Sequence, residues 1–312
     1  MKALAFDLGG THATCGIVEN QSLLKSQVVS AAGAKGLREL LPAISKAFRD
    51  LLKAANLDAK DCTGIACSLC NIIDARAGRV LSTNQKYDDM PSIDFPAWAK
   101  EQFDLPLRME NDARMALLGE YYAGAARGFE DVVMVTLGTG IGGAAMIGGR
   151  LVRGKHSQAG NLGGHIPVVL HGRTCTCGGV GCAEAEAAGW SLPLVARDWP
   201  HFASSALARE PQINFEALFR LAAKNDEVSI DIRNRCLAVW AADAVGLIHS
   251  FDPEIIVFGG GVMQSADLIL PFIQSHTERH TWTPWGKVKV RAAQLGNNAG
   301  LLGAVPLLQE QF

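Results

Sequence analysis

KALAFDLGGTHATCGIVE, residues 2–19, is an apolar run ending in Asp7, a glycine turn, and a second apolar run. That pattern predicts a β-hairpin. Gly9 and Gly10 can adopt positive φ and bring backbone N–H groups close to an anion. Asp7 stands at the strand end and Thr11 adds a hydroxyl, so a phosphate is the ligand that suits the turn. The scheme returns in residues 129–154, FEDVVMVTLGTGIGGAAMIGGRLVRG, where a β-branched run from Val132 to Leu137 enters GTGIGG and leaves as AAMIGG. Such an internal repeat predicts two related lobes, each with a phosphate-facing hairpin. GTGIGG resembles a dinucleotide fingerprint only superficially, because that pattern opens a helix and here a strand follows.

Between and after the hairpins the chain alternates helices and strands. GLRELLPAISKAFRDLLKAA, residues 36–55, places Leu37, Leu40, Leu41, Ile44, Phe48, Leu51 and Leu52 on one face, an amphipathic helix that should cover a sheet. TGIACSLCNIID (63–74) reads as a buried strand, and AGRVLSTN (77–84) as another that leaves Asn84 at a loop end, able to meet a polar ligand or to close a turn. LPLRMENDARMALLGEYYAGAA (105–126) is a strand running into a helix at Glu110, Asn111 and Asp112. Asn or Asp there caps the helix, and the same carboxyl-terminal strand end is where α/β sheets bind ligands. RCLAVWAADAVGLIHSF (235–251) aligns Leu237, Trp240, Ala244, Leu247, Ile248 and Phe251 along a helix stopped by Pro253. The strand Ile255 to Phe258 then meets the turn Gly259, Gly260, Gly261, where backbone can approach a flat or anionic ligand. VKVRAAQLGNNAGLLGAVPLL (288–308) closes as a strand, a turn and a short helix.

HIPVVLHGRTCTCGGVGCAE, residues 165–184, gathers Cys175, Cys177 and Cys182 beside histidines. Three thiolates and one imidazole suit a closed, structural zinc site, the fourth ligand coming from His156, His165 or His171. The chain has eight cysteines; in a reducing compartment this clustering reads as metal binding, and the CSLC pair Cys67 and Cys70, set among apolar residues, as buried hydrophobes.

At 312 residues the chain exceeds the usual single-core size, and 48% hydrophobic with 19% charged residues describes a globular protein. A net charge of −2, without basic clusters, argues against nucleic acid as a partner. The opening MKALAFDLGG is too short in its apolar run for a signal peptide or a membrane span, so a cytoplasmic protein without a membrane partner is expected.

FDLGGTHATCGIV, MENDARMALLGE, VTLGTGIGGA, CTCGGVGCAE, DPEIIVFGGGV and LGNNAGLLGA together resemble, in order and spacing, the ROK family of bacterial sugar kinases and repressors, over nearly the whole chain. The resemblance implies an α/β, two-lobed actin-like ATPase (ribonuclease H-like) fold with nucleotide in the interdomain cleft. It implies a smaller lobe of residues 1–115 plus 297–312 and a larger lobe of residues 116–296. The implied activity is ATP-dependent phosphorylation of a hexose or hexose derivative, glucokinase- or fructokinase-like, with Mg2+ and a structural Zn2+. Asp112 is the implied general base. Asn111, Asp112, His165 and Glu184 match sugar ligands, with Asn84 added by its loop-end position. Asp7, Gly9, Gly10 and Thr11 match the first phosphate loop, Gly138, Thr139 and Gly140 the second, and Gly259, Gly260 and Gly261 the adenosine-side turn. His165, Cys175, Cys177 and Cys182 match the zinc ligands.

The family's Glu-x-Gly-His is AGNLGGH here, with Leu162 three residues before His165; Asn161 replaces the glutamate across a one-residue shift, with neutral hydrogen bonds. The family's early Pro-Gly turn is replaced by CSLCNIID. A catalytically weak sugar-binding or regulatory protein is the alternative these departures raise. A repressor would carry a helix-turn-helix ahead of the body, whereas the first phosphate strand begins at residue 2. The resemblance also implies a homodimer or homotetramer, with the helix around Trp240 as a candidate contact.

Overall fold

A computed structural model describes residues 1–83 and 87–310. Asn84 lies outside the described residues. The chain divides into two compact units: residues 1–128, 153–161 and 294–312, and residues 129–152 and 162–293. This division differs from the lobes expected at 115/116 and 296/297. A cut at 115/116 would pass through the helix Asp112–Ala123, and the segment 153–161 belongs with the first unit.

The first unit is built on five strands, β1 (Lys2–Leu8), β2 (His12–Glu19), β3 (Ser22–Ser30), β4 (Ile65–Leu69) and a last strand, Leu107–Asn111. Between them lie a separate two-stranded hairpin, β5 (Ile72–Asp74) with β6 (Arg79–Ser82), and the sheet's fifth strand is therefore β7. TGIACSLCNIID is thus two strands in two sheets, because the chain turns at Cys70 and Asn71, where Asn71 N–H bonds back to Leu69 O at 2.9 Å. The main sheet runs β3-β2-β1-β4-β7; β1 and β2 form the expected antiparallel hairpin, and β4 and β7 add parallel strands. Helix α1 (Leu37–Ala54) buries the apolar face read from its spacing, and Phe48 meets Phe6 of β1 with ring centroids 6.4 Å apart. Helix α2 (Phe95–Phe103) follows, with Asp94 capping it by accepting from Ala97 N–H. Helix α3 (Asp112–Ala123) starts directly at the end of β7.

The second unit repeats the plan. Strands β8 (Val132–Leu137), β9 (Ile141–Ile147), β10 (Arg150–Leu151), β11 (Ile255–Gly259) and β12 (Lys289–Ala292) are ordered β10-β9-β8-β11-β12. Position for position this is the order of the first sheet, including the antiparallel hairpin and two parallel additions. Short helices α4 (Ala183–Ala187), α5 (Leu192–Arg197) and α6 (Phe215–Ala222) lead to the long α7 (Glu227–Phe251) and α8 (Ala266–His280). Trp240 of α7 is 1% exposed, and its indole N–H donates to Ala187 O at 3.0 Å, so it is core and does not offer a contact surface. The terminal α9 (Ala299–Leu302) and α10 (Ala304–Gln309) return to the first unit. Each unit has its own apolar core. No described helix is long and apolar enough to cross a membrane.

Candidate functional site

The first hairpin turn is closed by Gly9 N–H on His12 O at 2.9 Å. The N–H groups of Gly10 and Thr11 have no partner among the described residues, and both residues are exposed, so the turn offers two successive unpaired donors. Below the turn, Asp7 accepts from Ser68 Oγ, and burial raises its carboxyl above the usual range against that bond. The carbon of the Asp7 carboxyl would lie 3.1 Å from a Cβ on Gly300. The terminal helix α9 therefore packs on this acid.

Asn111 ends β7 and caps α3, its side-chain oxygen accepting from Ala113 N–H at 3.0 Å and Arg114 N–H at 3.3 Å. Its amide donates to Asp112 Oδ1 at 2.9 Å. The capping reading holds, and the same Asn111 side chain orients Asp112. Asp112 is exposed at its surface, yet protein crowds it at longer range. That desolvation, with the nearby charge of Asp7, outweighs the bonds from Ala113 and Asn111 and pushes its carboxyl up to about 6. An accessible carboxylate of this pKa can accept a proton near neutral pH.

In the second unit the turn between β8 and β9 is closed by Gly138 N–H on Gly140 O at 3.0 Å. Here too the next two N–H groups, of Thr139 and Gly140, have no partner among the described residues, while Gly138 O and Thr139 O accept from Gly189 and Trp190 at 2.9 Å each. Gly260, at φ 92°, follows β11 so tightly that a Cβ there would sit 2.2 Å from Leu137 O. No other residue fits. Gly138, Thr139 and Gly261 line one cavity of about 760 Å³ with Trp190, Pro193 and Gln212, within the range of small-ligand sites.

The cysteine loop is shaped by Cys175 N–H on Gly179 O at 2.8 Å and by Gly181, at φ 72°, where a Cβ would collide with Val169 O. His165 Nδ1 lies 3.5 Å from Cys175 Sγ, and Cys177 Sγ 3.7 Å from Cys182 Sγ. All four ligand atoms fall within 4.8 Å of one another. A tetrahedral zinc with Zn–S near 2.3 Å needs ligand edges of about 3.5 to 3.8 Å, which the His165–Cys175 and Cys177–Cys182 pairs match. Three thiols with one imidazole are a donor set that suits the ion. Gly179 N–H holds the Cys177 thiol below its ordinary pKa, which favours a thiolate. His165, rather than His156 or His171, completes the group.

Glu184 opens α4 and bridges two features of this unit: Oε2 accepts from Ile141 N–H at 2.8 Å and Oε1 from Trp190 Nε1 at 3.2 Å. A Cβ on Gly140 would meet Glu184 Oε2 at 2.6 Å, so the cysteine loop and second glycine turn touch through this carboxylate. The sequence had offered Glu184 as a ligand residue; its tie to the turn was not readable from spacing.

In the first unit the structure brings Asp7, Asn111 and Asp112 together, with Gly9, Gly10 and Thr11 leading directly from Asp7. In the second it joins Gly138, Thr139 and Gly261 in the cavity, and His165 with the three cysteines. Gly259 ends β11 beside them in sequence. Asn161 is half-buried in the first unit's segment 153–161. Asp74 is spent locally, accepting from Ala77 N–H and pairing with Arg79. Residues not anticipated include Glu110 and Arg114, both 0% exposed on either side of Asn111 and Asp112. A strand end carrying a buried charge was the signal, since charged residues are almost never fully buried unless paired.

Known proteins resemble this chain over nearly its whole length. A glucokinase of Streptomyces coelicolor is 32% identical over 329 residues, covering 98% of this chain and 97% of that one. The structure of a ROK hexokinase from Thermus thermophilus has a TM-score of 0.83 at 30% identity, covering 98% of this chain and 97% of that one. A ROK family glucokinase from Streptomyces griseus, solved in complex with glucose and AMPPNP, has a TM-score of 0.78 at 28% identity with full coverage of both chains, 100% each. These are two-lobed actin-like ATPase folds, and the duplicated sheet order seen here is that fold. The ROK family model matches residues 3–311, so the duplicated glycine hairpins, the Asn-Asp helix start and the Cys3His loop together are those of a chain that belongs to the ROK family.

Proposed function

We propose that the protein is an ATP-dependent sugar kinase that phosphorylates a hydroxyl of a hexose or hexose derivative, with Asp112 as general base. The observation that carries this reading is Asp112 itself: an exposed carboxylate at about 6, oriented by Asn111 at a strand end. The sugar hydroxyl oxygen attacks the terminal phosphorus of ATP, its proton passes to Asp112, and the bond to the ADP oxygen breaks. Gly10 and Thr11 N–H, with Thr139 and Gly140 N–H, are donors suited to phosphate oxygens, and the 760 Å³ cavity suits the adenosine. Mg2+, when bound, neutralises phosphate charge; Asp7 is the carboxylate that would hold it, through water. Asn111, His165, Glu184 and Asn161 are the proposed sugar ligands. Zinc would fold the cysteine loop and orient His165.

The relatives' glucokinase activity supports this reading, and Asp112→Asn tests it. The neutral amide keeps shape and loses basicity, so kcat is expected to fall about 10²- to 10⁴-fold with sugar affinity changed by a small factor. Near wild-type kcat in that variant would remove Asp112 from the reaction.

A further inference from the structure

A buried lattice of charges in the first unit bears on sugar selectivity, and the inference rests on the reading of Asn161 as a sugar ligand. Arg114, 0% exposed, lies two residues after Asp112. Its Nη1 bonds Glu110 Oε1 at 3.2 Å, and its Nη2 donates to two carbonyls of the segment before Asn161, Ser157 O at 3.1 Å and Ala159 O at 2.8 Å. Its Nε finds no partner among the described residues, so Glu110 and those two carbonyls carry the compensation for burying the charge. Glu110, also 0% exposed, accepts in addition from Asn111 N–H at 2.8 Å and from Arg153 Nε at 2.6 Å. Arg153 is gripped on its outer side by the Glu310 carboxylate through two bonds, 2.7 and 2.6 Å. Arg108 in turn holds Leu307 O and Glu310 O.

The segment thus fixed is a strained turn. Ser157 has φ 58° and Gly160 φ 74°, Ala159 N–H returns to Arg153 O at 3.1 Å, and Asn161 N–H to Gln158 O at 3.2 Å. An apolar side chain could fill the same space, but only a planar fork puts one nitrogen, Nη1, on Glu110 while the other, Nη2, serves both carbonyls of the turn. Glu110 binds the backbone of Asn111 and one face of that fork, so the helix start carrying Asn111 and Asp112 and the turn carrying Asn161 share one rigid support.

We propose that Arg114 is a positioning residue for sugar selectivity: with Glu110, Arg153 and Glu310 it fixes Asn161 relative to Asn111 and Asp112. Selectivity then depends on this brace, because a neutral amide discriminates between hydroxyl arrangements only when it is held still. A displacement of a fraction of an ångström weakens the correct sugar most.

The test compares Arg114→Lys, which keeps charge and loses the fork, and Glu310→Gln, a milder change at the partly exposed end of the brace. Glu120→Gln is the control: this buried carboxylate at the other end of α3 holds Gln294 and Leu295 N–H at 2.8 Å each, away from the turn. In Arg114→Lys, sugar KM is expected to rise about tenfold with ATP KM unchanged, and the preference among epimeric hexoses to narrow. Glu310→Gln should shift sugar KM in the same direction by about threefold. Hydrogen exchange of the 153–161 peptide should quicken in both. Glu120→Gln should lower Tm and leave sugar KM and that peptide alone. Equal rises in sugar and ATP KM, or a loss of Tm alone in Arg114→Lys and Glu310→Gln, would overturn the proposal. Should wild-type protein release no ADP with any sugar, the kinase reading fails separately. Exchange and direct sugar titration then decide the brace, and unchanged sugar affinity despite faster exchange of 153–161 overturns it.

Discussion

In the first unit, Asn111 and Asp112 are held where a strand becomes a helix: Asn111 caps α3, and buried ion pairs reinforce its backbone. In the second, His165 and Cys175, Cys177 and Cys182 stand on a glycine-rich loop outside the sheet, closed by turn bonds such as Cys175 N–H on Gly179 O, with four converging ligand atoms. The two sheets share one strand order, so the difference lies in what was added to each. On the Asn111–Asp112 side, the strand end, the helix cap and the buried ion pairs supply the support from protein groups alone. The loop side has backbone bonds of its own but leaves four ligand atoms converging, where the binding energy of an ion would be folding energy. Removing metal should therefore separate the two halves.

The largest expected effect follows from that contrast. Cys182→Ser or His165→Ala should lose zinc, measured by metal analysis of protein purified without added zinc, and weaken sugar binding about 10- to 100-fold. Hydrogen exchange should quicken in residues 165–184 and stay unchanged in α3. If α3 loosened equally, the two halves would not be independently held.

Next comes pH. The proposed base, Asp112, would work deprotonated, and its carboxyl is pushed up to about 6, so kcat/KM should fall roughly tenfold per unit below that value. A flat profile from pH 5 to 7 would break the electrostatic reading of the first unit. Gly260→Ala sharpens the comparison on the other side. A Cβ meeting Leu137 O must push β11 from β8, so it should cost about 1 to 3 kcal/mol and raise ATP KM, checked by Tm and kinetics.

The smallest effect concerns stability. Because the folded pKa of Asp112 lies above its ordinary value of 3.8, the protonated form favours folding. Its contribution is complete below that value and lost as pH rises through about 6. Asp112→Asn should then melt slightly higher than wild type at pH 7 and equally at pH 3.5. A lower Tm at pH 7 would mean that the charge stabilises the start of α3 more than its crowding costs.

Both hairpins were readable in sequence because alternation, turn glycines and β-branched residues all point the same way there. So was the helix start at Asn111 and Asp112, since a strand end and a capping pair coincide there, and the cysteine spacing already implied converging ligand atoms. Strand β3, Ser22–Ser30, was not, because its residues are largely exposed and show no apolar alternation. The strand read through residues 63–74 divided at Cys70 and Asn71, since an apolar run does not reveal where pairing partners change. The charge lattice was hidden for a different reason: Arg153 and Glu310 are 157 positions apart, and nothing local to either announces the other. Trp240 shows the converse, an aromatic that suits a surface or a core until neighbours decide.

Sugar-dependent ADP release over a panel of hexoses, N-acetylhexosamines and β-glucosides, with ATP and Mg2+, tests the central claim most directly. At least one sugar should stimulate release well above the sugar-free rate in wild-type protein, and Asp112→Asn should abolish the stimulation. No stimulation by any sugar in zinc-replete protein would contradict the claim and leave a sugar-binding protein without the reaction.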